Sequence, residues 1–190
     1  MKTSKFLTLL FVTISFVSCN KSNDATNNAS IDVSAQWQID ALGNLILGLP
    51  DGQWQSKTFS TAELNLFTSL DTANLNGTAT PTAVLENNNL RHNSIYPNPF
   101  TSTFYIQFGF TPGYSGQFVF KSVIVDSLMN PVDKKVVRMQ ATVFGPGNVS
   151  NSNAVGFASS LTVGRYRLYY TLSSQANPHF YKSWGNIQRN

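Results

Sequence analysis

The chain of 190 residues holds one cysteine and two histidines, and only 12% of it is charged. A lone cysteine has no partner within the chain, so a disulfide scaffold and a cysteine-rich zinc site are both excluded. From His92 and His179 alone no imidazole-based metal cluster is easily drawn, and no cofactor motif accompanies them. Charge stands at about half of the roughly 25% usual in soluble domains. In its place are 20 Asn, 21 Ser and 17 Thr, so the surface is mostly uncharged and polar. Long apolar runs are scarce as well. One occurs, near the N-terminus, and nothing after it is long enough to cross a bilayer.

That run extends from Phe6 to Val17 behind Lys2 and Lys5. Its 12 residues fit the apolar region of a signal peptide and fall short of the roughly 20 needed to span a membrane. It closes on Phe16-Val17-Ser18-Cys19, which resembles the lipobox of bacterial lipoproteins: an apolar residue, small residues, then cysteine. The resemblance implies cleavage before Cys19, lipid on its thiol and acylation of the new amino group by a fatty acid such as palmitate. Each buried CH₂ of such chains contributes about 0.8 kcal/mol, so several chains on one residue hold firmly. Asn20, in place of Asp, follows the cysteine, which by the same resemblance implies transport to the outer membrane. With Asp24 as the only nearby acid, the periplasmic and the surface face both stay open.

Four regions are expected: a signal peptide over 1–18, a lipidated tether over 19–34, a small helix-containing segment and linker over 35–94, and a β-sandwich over 95–190. The tether, rich in Asn, Ser and Thr, has too little apolar surface to offset the entropy of ordering it. In the next region Ser60-Thr61-Ala62-Glu63 has the form of a capping box, with Leu64, Phe67 and Leu70 following as one apolar stripe. Asn, Thr, Gly and Pro from Asn74 to Asn93 read as linker. The two parts of the mature chain differ in sign, net −4 from Asn20 to Ser94 and net +6 from Ile95 to Asn190. Without a dense Lys/Arg run, that asymmetry does not point to nucleic acid.

The second part is patterned as strands. Phe104, Ile106, Phe108 and Phe110 alternate with polar or small neighbours, as do Val137, Met139, Ala141 and Val143, and Tyr166, Leu168, Tyr170 and Leu172. Phe118 to Val125 is apolar on both faces, as a central strand would be. Turns are supplied at Thr111-Pro112-Gly113, Asn130-Pro131 and Gly145-Pro146-Gly147-Asn148. The fold class expected is mainly β, an Ig-like sandwich preceded by a short helix-containing segment and a flexible, lipid-anchored tether. Tyr96-Pro97-Asn98-Pro99, Val123-Ile124-Val125-Asp126 and Gly164-Arg165-Tyr166 together resemble the C-terminal sorting domains of type IX secretion cargo. That resemblance implies an Ig-like sandwich and covers Ile95 to Leu172 at most. The sandwich expected over 95–190 continues past that limit, through His179-Phe180-Tyr181 to Asn190.

No converging catalytic set emerges, and the chain is expected to be non-enzymatic. Asp126 and Asp133 flank a turn and read as turn formers, His92 falls in the linker, and His179 sits among aromatic residues. Arg165, Arg167, Tyr169, Phe180, Tyr181 and Trp184 leave two readings, an exposed aromatic and guanidinium surface for glycans or a second hydrophobic layer closing the sandwich. Asp71-Thr72-Ala73 and Asp126-Ser127-Leu128 match a short acceptor pattern for O-glycans, which marks Thr72 and Ser127. The role expected is structural or protein-interacting, with the membrane as partner through Cys19 and an envelope protein or glycan as a further partner. A glycan-binding module and a type IX sorting passenger are the alternatives.

Overall fold

The computed structural model describes residues 30–42, 44–47, 53–70, 90–110, 116–141, 153–158, 160–174 and 179–190. Seven strands make the sandwich: β3 (Leu90–Tyr96), β4 (Thr103–Phe110), β5 (Gly116–Val125), β6 (Pro131–Ala141), β7 (Asn153–Ala158), β8 (Gly164–Ser173) and β9 (Tyr181–Arg189). Before them come a two-stranded hairpin, β1 (Gln38–Ile39) and β2 (Leu45–Leu47), and one short helix, α1 (Thr61–Asn65). One sheet has the order β3-β4-β7 and the other β6-β5-β8-β9, and every pairing is antiparallel. The fold is therefore mainly β, an Ig-like sandwich.

Alternation along the strands builds the core. Phe104, Ile106, Phe108 and Phe110 all turn inward from β4 and are buried. Phe118 and Phe120 of β5 and Tyr170 of β8 meet them from the opposite sheet, with Phe108 placed 5.5 Å from Phe120 and 5.8 Å from Tyr170 between ring centroids. Phe120 also meets Phe157 of β7 edge-on at 6.1 Å. Such pairs contribute roughly 0.5–1.5 kcal/mol each beyond the area they bury.

The capping box forms as its residues dictate. The Ser60 N–H donates to the Glu63 carboxylate at 2.7 Å, and the Glu63 N–H donates to the Ser60 hydroxyl at 3.3 Å. The apolar stripe differs from expectation, because α1 ends at Asn65. Leu64 is exposed, and the buried side chains are Leu66 and Phe67, in the turns that follow the helix. The Asp126 turn is built by its own side chain: one carboxylate oxygen accepts from the N–H groups of Leu128 and Asn130, the other from the Asn130 amide. Asp40 and Asn44 repeat that arrangement bond for bond between β1 and β2.

Three segments bear on the boundaries expected from the sequence. β3 starts at Leu90, inside the stretch read as linker; among its residues of described burial only Ile95 is fully buried, so the strand carries little apolar signal. β9 lies past Leu172, the limit of the resemblance to sorting domains, and within the 95–190 expected for the sandwich it pairs with β8 from Tyr181 to Arg189. Finally, Ile31, placed in the tether, donates its N–H to the Ser127 carbonyl at 2.8 Å, so the chain lies on the sandwich from there.

The N-terminal segment also closes the free edge of β9. Trp54 and Lys57 donate their N–H groups to the carbonyls of Trp184 and Lys182 at 2.7 and 2.8 Å. Trp54 adopts a positive φ of 59° and sends its ring between the sheets, where it is buried and lies 6.4 Å from Tyr170. Gly185 leaves the space: a Cβ there would stand 1.9 Å from the indole. The inward side of β9 thus reads Tyr181, Ser183, Gly185, Ile187, and its small residues are what hid the strand from a periodicity argument.

Trp54→Ala should lower unfolding stability by about 3–5 kcal/mol, the usual loss for a large aromatic in a core. Gly185→Ala should cost about 1–3 kcal/mol or more by overpacking. In the double variant the new methyl group has the vacated space, so the combined loss should fall short of the sum. Denaturant unfolding of all four proteins checks this, and strict additivity would contradict the seating of Trp54 on Gly185.

Candidate functional site

Strand register places the candidate residues before any side chain is considered. Arg165, Arg167 and Tyr169 share one face of β8, and opposite them on β9 stand Gln188, Asn186 and Trp184. This is the outward face of the four-stranded sheet, where an exposed aromatic and guanidinium platform would have to lie.

Ile31 and the segment from Phe59 to Leu70 cover part of that face. Phe59, Leu66 and Phe67 form a second apolar cluster with Val123, Val125 and Tyr169, joined at its margin by Ile31, Leu70, Met129 and Trp184. Phe59 meets Tyr169 edge-on at 5.6 Å. Burial raises the Tyr169 hydroxyl above its ordinary pKa, with the Arg167 guanidinium opposing it. Tyr181 points the other way, into the core, where its ring lies 6.0 Å from Tyr170 and its hydroxyl donates to the Trp54 carbonyl.

The platform reading is therefore corrected: Tyr169, Phe180, Tyr181 and Arg167 are buried, Tyr169 in the second hydrophobic layer and Phe180 and Tyr181 in the core between the sheets. The cause is that an outward strand position faces solvent only if nothing packs over the sheet. Arg165 is exposed and Trp184 half-buried. The Trp184 ring nevertheless has cationic neighbours of its own, with the Arg167 guanidinium 3.8 Å and the Lys57 ammonium 4.5 Å from its centroid. An indole face attracts cations through its quadrupole, and this pairing offsets part of the cost of burying Arg167.

A seam of buried amides joins the layers, and composition alone did not single it out. Asn98, the asparagine of Tyr-Pro-Asn-Pro, is wholly buried. It exchanges backbone bonds with Ile39, donates its side-chain amide to the carbonyls of Trp37 and Asn186 at 2.7 and 3.0 Å, and accepts from the Gln188 N–H at 3.0 Å. Asn186 donates to the carbonyls of Ala35 and Asp32 and accepts from Arg167 Nε at 2.9 Å. Arg167 reaches the Asp32 carbonyl as well. Gln53 completes the seam by bonding the Ala35 carbonyl and the Asn186 N–H. The available signal was a Tyr-Pro-Asn-Pro motif whose asparagine sits between two prolines that cannot donate, leaving the backbone N–H and side chain of Asn98 to make the bonds.

The remaining candidates lie apart. Ser127 is half-buried in the Asp126 turn, and its carbonyl receives Ile31. Asp126 is held below its ordinary pKa: burial acts upward and is outweighed by the bonds from Asn130 and Leu128. His92 falls at a β3 position opposite Gly109. His179 has a positive φ of 53°, and its pKa is lowered by burial, then by Lys121 and Lys182. Cys19 and Thr72 lie outside the described residues. Among the described residues no three of His, Cys, Asp and Glu gather to hold a metal ion.

No protein-family model and no curated protein matches the chain. Among solved structures it is similar to a glycosyl hydrolase family 2 member from Bacteroides cellulosilyticus, at 14% identity and a TM-score of 0.32. The likeness covers 50% of this chain and 14% of that one.

Asn98→Ala removes two donations and one acceptance inside the protein. Because each buried group left unpaired costs roughly 1–3 kcal/mol, the variant should lose several kcal/mol in denaturant unfolding. Amide exchange should accelerate at Ile39 and Gln188 first.

His179 gives a pH test. Its proton binds more weakly in the folded chain, so below the ordinary 6.5 the unfolded chain takes up protons first. The stability contributed by the neutral ring is present above pH 6.5 and is lost as pH falls through the folded value. Unfolding midpoints should drop between pH 7.5 and 5, and His179→Gln should flatten that slope.

Proposed function

We propose that the chain is a non-enzymatic lipoprotein of the bacterial outer membrane, anchored by lipid on Cys19, with a structural or protein-interaction role. The single observation that carries this reading is the position of Cys19, the only cysteine, at the close of a charged-then-apolar leader. The structure supports it in two ways. Ile31, twelve residues after Cys19, is bonded to the Ser127 carbonyl, as suits a domain held close to an anchor. Asp126, one of the two acids of the second part, commits both carboxylate oxygens to its own turn.

A second reading, export by type IX secretion, is favoured by one feature. The Tyr96-Pro97-Asn98-Pro99 motif that carries the resemblance to sorting domains forms the turn between β3 and β4, at the opening of the sandwich.

One variant tests both. Cys19→Ser should abolish metabolic labelling by fatty acid and move the protein from the membrane fraction to the periplasm. Persistent labelling would refute the anchor. Appearance of the variant in the medium of a type IX competent host would favour export.

A further inference from the structure

The two turns built on Asp40 and Asp126 belong to the same end of the sandwich. β5 runs into the Asp126 turn, β8 leaves from that end at Gly164, and β9 arrives there at Arg189. Asn98 lies beside Gln188, and Ile39, at the root of the β1–β2 hairpin, pairs with Asn98. The chain from the N-terminus enters at this end too, since Ile31 is bonded to Ser127.

Large exposed apolar side chains collect at this end. Leu42 is 86% exposed, Val163 75% and Ile46 63%, with Leu45, Leu128 and Val132 exposed as well. Only Leu64 and Tyr105 complete the set among the described residues. Single exposed apolar residues are ordinary, whereas several at one end mark a contact surface. Leu45 and Ile46 are consecutive in β2 and thus point to opposite faces, so no one flat partner surface would cover both. A fluid apolar phase surrounding the hairpin would.

The polar groups here are compatible with that phase. Asp40 and Asp126 turn their carboxylates onto the N–H groups of their own turns. Arg165 is exposed and Arg189 half-buried at the same end, where cations can meet anionic headgroups; of the acids there, Asp32 is exposed and bonded to the Ser34 N–H, and Asp133 is half-buried and bonded to the Lys134 N–H. From Cys19 to Ser30 are eleven residue steps, at most roughly 36–40 Å of chain at 3.3–3.6 Å each. A lipid on Cys19 would hold this end, where Ile31 docks, within that distance of the bilayer.

We propose that this end of the sandwich rests on a phospholipid leaflet, with Leu42, Leu45 and Ile46 of the β1–β2 hairpin entering it and Leu128 and Val163 at its margin. The proposal rests on the lipid anchor at Cys19 and adds a second, protein-borne contact that fixes the orientation of the domain.

The test uses the full lipidated chain in vesicles of phosphatidylethanolamine and phosphatidylglycerol. With Cys19 occupied by lipid, Leu42→Cys, Val163→Cys or Gln140→Cys supplies a single free thiol for a nitroxide label. Gln140 pairs with Gln117 toward the opposite end. Labels at 42 and 163 should lose collisions with a water-soluble nickel chelate while keeping those with oxygen, and the label at 140 should keep both. Labels at 42 and 163 that stay open to nickel, on protein that floats with the vesicles, would overturn the leaflet contact and leave the anchor standing. Shielding accompanied by dipolar broadening between labels would assign the surface to a second copy and likewise overturn it. Protein that carries no lipid on Cys19 and does not float would overturn the anchor itself.

Discussion

The free edge of β9 is the constraint on which the rest of the structure depends. An unpaired edge presents a row of N–H and C=O groups to any passing strand, and proteins cover such edges with other elements. Here the cover comes from the protein's own N-terminal segment, through the backbone bonds of Trp54 and Lys57 and the indole wedged over Gly185. Once the segment is held there, residues 59–70 are carried across the outward face of the four-stranded sheet. Burial of Val123, Val125 and Tyr169 follows from that placement.

The amide seam is how the covering layer is kept in register. Gln53, Asn98 and Asn186 are all nearly inaccessible to solvent, where an unpaired amide is costly and a satisfied one is highly directional. Their bonds link the segment, the Tyr-Pro-Asn-Pro turn and β9 at once. Arg167 belongs to the same system, with its charge spread over the Asp32 carbonyl, the Asn186 side chain and the Trp184 ring. Residues with the chemistry of a glycan platform thus hold two layers together. Exposed apolar side chains lie instead at the end of the sandwich that carries the β1–β2 hairpin and the Asp126 turn.

Much of this was legible wherever one face of a strand met solvent or a single core. β4 showed its four inward aromatic and aliphatic residues by simple alternation, and β5 announced two-sided burial by being apolar throughout. The Ser60–Glu63 cap and the Asp126 turn were legible because their bonds close within a few residues. β3 and β9 were not, since an edge strand needs few apolar residues and β9 trades side chains for space at Ser183 and Gly185.

What the sequence determined by itself is local: the mainly β class, the alternating core strands, the capped helix, the self-bonded turn, and the lone cysteine behind an apolar leader. What only the tertiary structure decided is which faces are surfaces. Tyr169 and Trp184 look outward from their strands, and whether outward means solvent depends on segments more than a hundred residues earlier in the chain. Burial is a property of two elements at once, so no periodicity within either can report it. The same holds for the exposed leucines of the hairpin, which share one end of the sandwich with Leu128 and Val163 only once the sheets have paired.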